Sequence, residues 1–233
     1  MTDEFSLAYT KPEAEAYFAF GNAEQQGDKY LKLALDSLPV TGARVLDYGC
    51  GFGHSVSVLV PFMPKEIVGV EPSETMLAEA KRLLQKGEFG ADTKVTFELL
   101  TSLPLPYTDA NFQGILSRYV FHYISDTKPV LQELFRVLAP SGWLVAIFSD
   151  VTFHAGYDHL ANTPLPLKFK EVMTARTLAK PGKEIVKNAQ DVGFEIIKYE
   201  ILPSDNNVAA LDPIYPHKDK IRIEAGLLVA RKI

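Results

Sequence analysis

The chain is poor in sulfur and in positive charge. Of its 233 residues only Cys50 is a cysteine. One thiol excludes an intrachain disulfide and a cysteine-based zinc site, and a reducing, cytoplasmic setting is expected. Lys and Arg number 24 against 29 Asp and Glu, a net charge of −5. Nucleic-acid binders show a basic surplus or stripe, so no nucleic-acid partner is expected. The apolar runs fall well short of the roughly 18 residues that a membrane span needs. The opening Met1-Thr2-Asp3-Glu4 is acidic and lacks the basic-then-apolar layout of a signal peptide. No internal repeat, low-complexity tract or long linker divides the chain. Its 47% hydrophobic and 23% charged residues are ordinary globular composition. The length suits one α/β domain with, at most, a small lid.

What is present is alternation. Residues 12–38 read as helical, interrupted near Gly21 and Gly27, and Pro39 to Gly42 turns the chain. Arg44–Tyr48 and Glu66–Val70 read as short buried strands. Ser73 is placed to cap a helix whose Met76, Leu77, Ala80, Leu83 and Leu84 recur at helical spacing, with Gly87 as its end. Lys94–Glu98 and Phe112–Ser117 read as strands. Asp126 suits the cap of a helix through Val130, Leu131, Leu134, Phe135 and Leu138. Trp143–Phe148 is a strongly apolar strand. Residues 151–182 break the rhythm with Pro164, Pro166 and Pro181 and read as an insertion or lid. A helix over Lys183–Val192 and strands over Phe194–Ile201 and Glu224–Lys232 close the chain. Repeated strand–helix units imply a doubly wound, mostly parallel sheet covered on both faces. The last two strands, with no clear helix between them, imply an antiparallel edge. The expected organisation is one domain over 1–233. It has a helical cap over 1–38, a cofactor-binding core over 40–150, a lid over 151–182 and the rest of the sheet over 183–233.

The first strand runs directly into Gly49-Cys50-Gly51-Phe52-Gly53. Glycines there let the backbone turn sharply and approach a ligand. In open α/β sheets such a loop lies outside the strands' carboxyl ends, where strand order reverses. A dinucleotide fingerprint would put its third glycine at 54, where His54 stands, and no Gly-Lys-Ser/Thr phosphate loop follows. Asp47, just before the loop, would repel a pyrophosphate and favour a sulfonium or amino group. It also reads as a structural anchor for the loop.

Four ordered segments carry a specific resemblance. Val45-Leu46-Asp47-Tyr48-Gly49-Cys50-Gly51-Phe52-Gly53 resembles motif I of class I S-adenosylmethionine-dependent methyltransferases. Gly69-Val70-Glu71-Pro72-Ser73-Glu74-Thr75-Met76-Leu77 is similar to that family's second-strand end. Leu103-Pro104-Leu105-Pro106-Tyr107, with Asp109, Asn111 and Phe112, resembles the Leu-Pro loop of the ubiquinone/menaquinone-biosynthesis subgroup. Leu131 to Leu144 resembles the helix, turn and strand after it. The match covers roughly 40–150. It implies a Rossmann-like seven-stranded sheet with an antiparallel last strand, and S-adenosyl-L-methionine as cofactor. The implied cofactor set is Asp47, Gly49, Cys50, Gly51, Gly53, Glu71, Pro72, Met76, Thr101, Ser102, Leu103, Ser117 and Tyr119. Within it the resemblance gives Glu71 the ribose hydroxyls. The family's usual acid at the adenine amino group is replaced by Thr101, which would have to serve through its hydroxyl. The resemblance also implies a small-molecule methyl acceptor.

His122 is the candidate general base, or equally a packed histidine on the pocket floor. His154, Asp158 and His159 read as a solvated loop, an acid/base or recognition cluster, or a metal site without firm ligand geometry. Tyr9, Tyr17, Phe18 and Phe20 either close over an apolar acceptor or simply pack. His54 and His217 are given no role. Two rival readings stay open: a non-catalytic binder of S-adenosylmethionine or S-adenosylhomocysteine, and a nicotinamide-dependent oxidoreductase.

Overall fold

The computed structural model describes residues 10–20, 28–169, 172–202 and 220–233, with side chains described at all of these except 16–20, 165–169 and 172–177. The strands are β1 (Arg44–Tyr48), β2 (Glu66–Glu71), β3 (Lys94–Leu99), β4 (Phe112–Arg118), β5 (Leu138–Phe153), β6 (Pro164–Phe169), β7 (Val172–Leu178), β8 (Phe194–Leu202) and β9 (Ile221–Lys232). The helices are α1 (Lys11–Phe20), α2 (Asp28–Asp36), α3 (His54–Leu59), α4 (Glu74–Gln85), α5 (Thr127–Val137) and α6 (Gly182–Val192).

Seven strands form one sheet in the order β3-β2-β1-β4-β5-β9-β8. All contacts from β3 to β5 are parallel, and β9 runs antiparallel to both β5 and β8. The order reverses between β1 and β4, which fixes the cleft at their carboxyl ends. The expected strands are all present, and β5 continues through residues 151–153, paired with Ile221–Ile223. The rest of the insertion holds a second, two-stranded sheet of β6 and β7, and the backbone of α1 lies beside it.

Side-chain alternation in the central strands builds two cores. Val45, Ile67, Leu116, Trp143 and Val145 point to one face and meet α2, α3 and α4 through Leu31, Leu35, Val56, Leu59, Leu77 and Ala80. Leu46, Val68, Ile115 and Leu144 point to the other and meet α5 and α6 through Val130, Leu134, Ile185 and Ala189. Burial on both faces explains why these strands read as continuous apolar runs. Helix starts follow the capping signals. The Ser73 hydroxyl accepts from the Met76 N–H and the Asp126 carboxylate from the Lys128 N–H.

Candidate cofactor site

Three charged side chains stand at, or one residue before, the carboxyl ends of the three strands beside the reversal. Asp47 follows Val45 by two residues, Glu71 follows Ile67 by four, and Arg118 follows Leu116 by two. In a strand, even spacings keep one face. Asp47, Glu71 and Arg118 therefore share the face that α2, α3 and α4 cover, at the carboxyl ends of neighbouring strands.

The glycine loop begins here. Gly49 and Cys50 both donate to the Val70 carbonyl, at 2.8 and 3.0 Å, pinning the loop to the end of β2. Gly49 has φ +76°, and a Cβ on it would lie 2.3 Å from a Val120 methyl carbon. Gly53 has φ +92°, and its Cβ would lie 2.7 Å from the Phe89 ring. Only glycine meets both demands, left-handed backbone and close approach. Cys50 is buried with its thiol pushed up by burial, so it is a small packing residue without thiolate character.

Glu71 is buried and anchors the loop. One carboxylate oxygen accepts the Gly51 N–H at 3.0 Å, and the other accepts the Ser73 N–H at 2.9 Å. Burial pushes its carboxyl up to about 7 against these two bonds. Asp47 is fully buried, and neither of its oxygens has a hydrogen-bond partner among the described residues. Burial pushes it up to about 7 as well; Arg118 opposes this and Glu71 reinforces it. Two buried carboxylates with too few donors form a site that a cation would stabilise.

Arg118 is 7% exposed, and its Nη2 lies 3.1 Å from Oδ1 of Asp28, the first residue of α2. His54, first residue of α3, donates from Nε2 to the same carboxylate at 2.9 Å. Burial raises the Asp28 carboxyl, but the His54 bond and the Arg118 charge outweigh it and leave the value lowered. Sequence reasoning gave His54 no role and passed over Arg118. A charged residue ending the apolar run Ile115-Leu116-Ser117 was the available signal.

Around this centre, Ser117 is buried with its hydroxyl donating to the Tyr48 carbonyl at 3.2 Å. Tyr119 is partly exposed and left-handed at φ +56°, with its N–H bonded to the Ile147 carbonyl at 2.6 Å. Strained backbone of this kind concentrates at functional sites. Met76 is buried, with its sulfur 3.8 Å from where a Gly51 Cβ would stand. Pro72 is partly exposed at the start of the α4 turn, and Thr101, Ser102 and Leu103 form an irregular segment after β3, the first two exposed.

His122 is 3% exposed in a short 3-10 turn, Phe121–Tyr123. Its Nδ1 accepts the Ser149 N–H at 3.2 Å, which leaves the ring proton on Nε2. Burial drives the imidazole down to about 3, so the ring is neutral at pH 7. His154, Asp158 and His159 are exposed, and His159 meets the Gly156 carbonyl. Among the described residues no three His, Cys, Asp and Glu gather as a metal site requires. Tyr9 and His217 lie outside the described residues, as do the side chains of Tyr17, Phe18 and Phe20.

The insertion is tied to this end of the sheet by a buried cation. Lys180 is 0% exposed and donates to Ser125 O at 3.1 Å, Asn162 Oδ1 at 2.7 Å and Glu184 Oε1 at 3.0 Å. Nearby, Asp150 accepts the Gly182 N–H at 2.7 Å and the Tyr199 hydroxyl.

The chain is similar to known proteins in sequence and in fold. Residues 46–146 match the family described as a methyltransferase domain. The chain is 25% identical over 158 residues to the O-methyltransferase resE of Aspergillus sclerotiorum, covering 68% of this chain and 57% of that one. It is 35% identical over 99 residues to the uncharacterised methyltransferase YcgJ of Bacillus subtilis, covering 42% and 38%. The chain thus spans about half the length of the curated relatives it matches. In fold it is similar to the [4+2]-cyclase SpnF, with a TM-score of 0.70 at 19% identity over 89% of this chain and 81% of that one. Among the described residues no helix is long and apolar enough to cross a membrane.

Proposed function

We propose that this chain, whose residues 46–146 match a methyltransferase domain, is a class I S-adenosylmethionine-dependent methyltransferase that transfers the methyl group of S-adenosylmethionine to a small molecule. The observation that carries the reading is the fully buried Asp47 carboxylate beside the glycine loop, without a hydrogen bond among the described residues. A ligand with a sulfonium and an ammonium supplies the cation that Asp47 calls for, and a pyrophosphate does not. These residues fit the cofactor. Asp47 would face its amino-acid end and Glu71 its ribose, through lone pairs beyond those taken by Gly51 and Ser73. Gly49, Cys50, Gly51 and Gly53 would line its path, with Pro72 and Met76 beside the ribose. Thr101, Ser102 and Leu103 would border the adenine, and Ser117 and Tyr119 the sulfur side.

When bound, the cofactor supplies an activated methyl group. The protein's task is then to align the acceptor and exclude water. The bond from the Ser149 N–H supports reading His122 as an Nε2–H donor on the pocket floor, since no ring nitrogen is free to accept a proton. Deprotonation would fall to solvent or to the acceptor itself, which favours an acidic hydroxyl or an amine. The resE relative, named as an O-methyltransferase, supports the oxygen acceptor.

The second reading is a chain that binds S-adenosylmethionine or S-adenosylhomocysteine without transferring the methyl; the likeness to the [4+2]-cyclase is one of fold alone. Calorimetry with S-adenosylmethionine, S-adenosylhomocysteine and NAD tests the site. Transfer of labelled methyl from the cofactor to a metabolite extract separates the two readings. Glu71→Ala should weaken cofactor binding at least about tenfold, and unchanged affinity would remove the ribose assignment.

A further inference from the structure

Arg118 has no place in the reading above. A buried arginine is costly unless its charge is matched. This one is matched by a carboxylate that arrives from another layer, Asp28 of α2, 3.1 Å away. His54 grips the same carboxylate from the far end of the glycine loop, at 2.9 and 3.1 Å. The guanidinium thus stands beside the loop, on the same sheet face as Asp47 and close enough to act on its titration. Asp47 keeps both oxygens without a hydrogen bond among the described residues. One buried cation and one buried anion, on adjacent strands at one loop, complement an α-amino acid: carboxylate to guanidinium, ammonium to carboxylate.

The geometry points to Arg118 as the residue that takes the carboxylate of the cofactor's amino-acid end, opposite Asp47, with Asp28 and His54 as positioning residues that aim the guanidinium. The inference rests on the reading of this cleft as an S-adenosylmethionine site. An arginine suits the task because its planar fork binds a carboxylate through two parallel N–H bonds. Its flexible stem needs an aiming group, and Asp28 supplies one from outside the sheet.

The test compares two ligands on the full chain by calorimetry at fixed ionic strength. S-Adenosylhomocysteine carries the amino-acid end, and 5′-methylthioadenosine keeps the adenosine and sulfur without it. Arg118→Met should weaken S-adenosylhomocysteine about 30- to 100-fold and 5′-methylthioadenosine less than about threefold. Arg118→Lys should fall between wild type and Arg118→Met. Asp28→Asn, with Arg118 intact, should weaken S-adenosylhomocysteine about three- to tenfold and leave 5′-methylthioadenosine alone. Equal losses for the two ligands, or none, would overturn the assignment and leave Arg118 as a structural ion pair securing α2. Should Arg118→Met fail to fold, the same comparison in Arg118→Lys and Asp28→Asn decides. A wild-type protein that binds neither ligand would remove the cofactor reading itself, and this inference with it.

Discussion

Replacing Asp47 by Asn should make the protein more stable at alkaline pH and worse at holding its cofactor. Burial pushes the Asp47 carboxyl from 3.8 up to about 7. A carboxyl raised in this way binds more protons in the folded than in the unfolded chain between about pH 4 and pH 7. Folding stability therefore falls as pH rises through that window, and the cost is fully present above about pH 7. At about 1.4 kcal/mol per unit, the complete shift amounts to about 4 kcal/mol, of which about 2 to 3 kcal/mol develops between pH 5 and pH 8. Asn keeps the shape and removes the charge. It leaves a buried amide whose own desolvation costs about 1–3 kcal/mol at every pH. The pH-dependent part isolates the carboxylate. Urea denaturation of both proteins without ligand, at pH 5 and pH 8 and constant ionic strength, should show Asp47→Asn gaining about 2 to 3 kcal/mol on wild type over that interval. A stability difference that stays constant with pH would refute the claim that an uncompensated charge is buried here. The gain should coincide with weaker S-adenosylmethionine binding, because the charge that destabilises the fold is the one read as meeting the ligand.

Other expectations follow from the packing. A Cβ on Gly114 would stand 2.1 Å from the Trp143 ring, so Gly114→Ala should cost about 1–3 kcal/mol in a denaturant titration. Lys180→Ala removes the buried cation shared by Ser125, Asn162 and Glu184. It should destabilise by about 3 kcal/mol and speed amide exchange at Asn162 and Thr163; exchange confined to its wild-type rate would contradict the anchoring role. His122→Gln should leave the pH profile of methyl transfer unchanged in shape, since the neutral ring has no lone pair free; loss of an acidic limb would restore it as the base.

Much of the sheet was legible because its information is local. Strands β1 and β4 are buried on both faces and so read as apolar runs, and Ser73 and Asp126 cap helices where capping chemistry puts them. The loop after Tyr48 was legible because left-handed turns and close approach demand glycine. The insertion was visible only as a break in rhythm; that it pairs as β6 and β7 depends on contacts across the chain. The burial of Lys180 and Asp150 gave no signal in sequence: Glu184 lies four residues from Lys180, but its other partners lie 18 and 55 residues away and those of Asp150 32 and 49.

By itself, then, the sequence determined the alternation of strands and helices, the glycine loop, and acids at the ends of the first two strands. Each follows from the residue types within a few positions. Only the tertiary structure decided which charges meet. It set Arg118 beside Asp47 by placing β4 next to β1 out of chain order. It brought Asp28 to that arginine from α2. It gave His122 its tautomer through the Ser149 N–H of β5. Such pairings cross strands and layers, and their energies arise from burial, which no single segment of chain possesses alone.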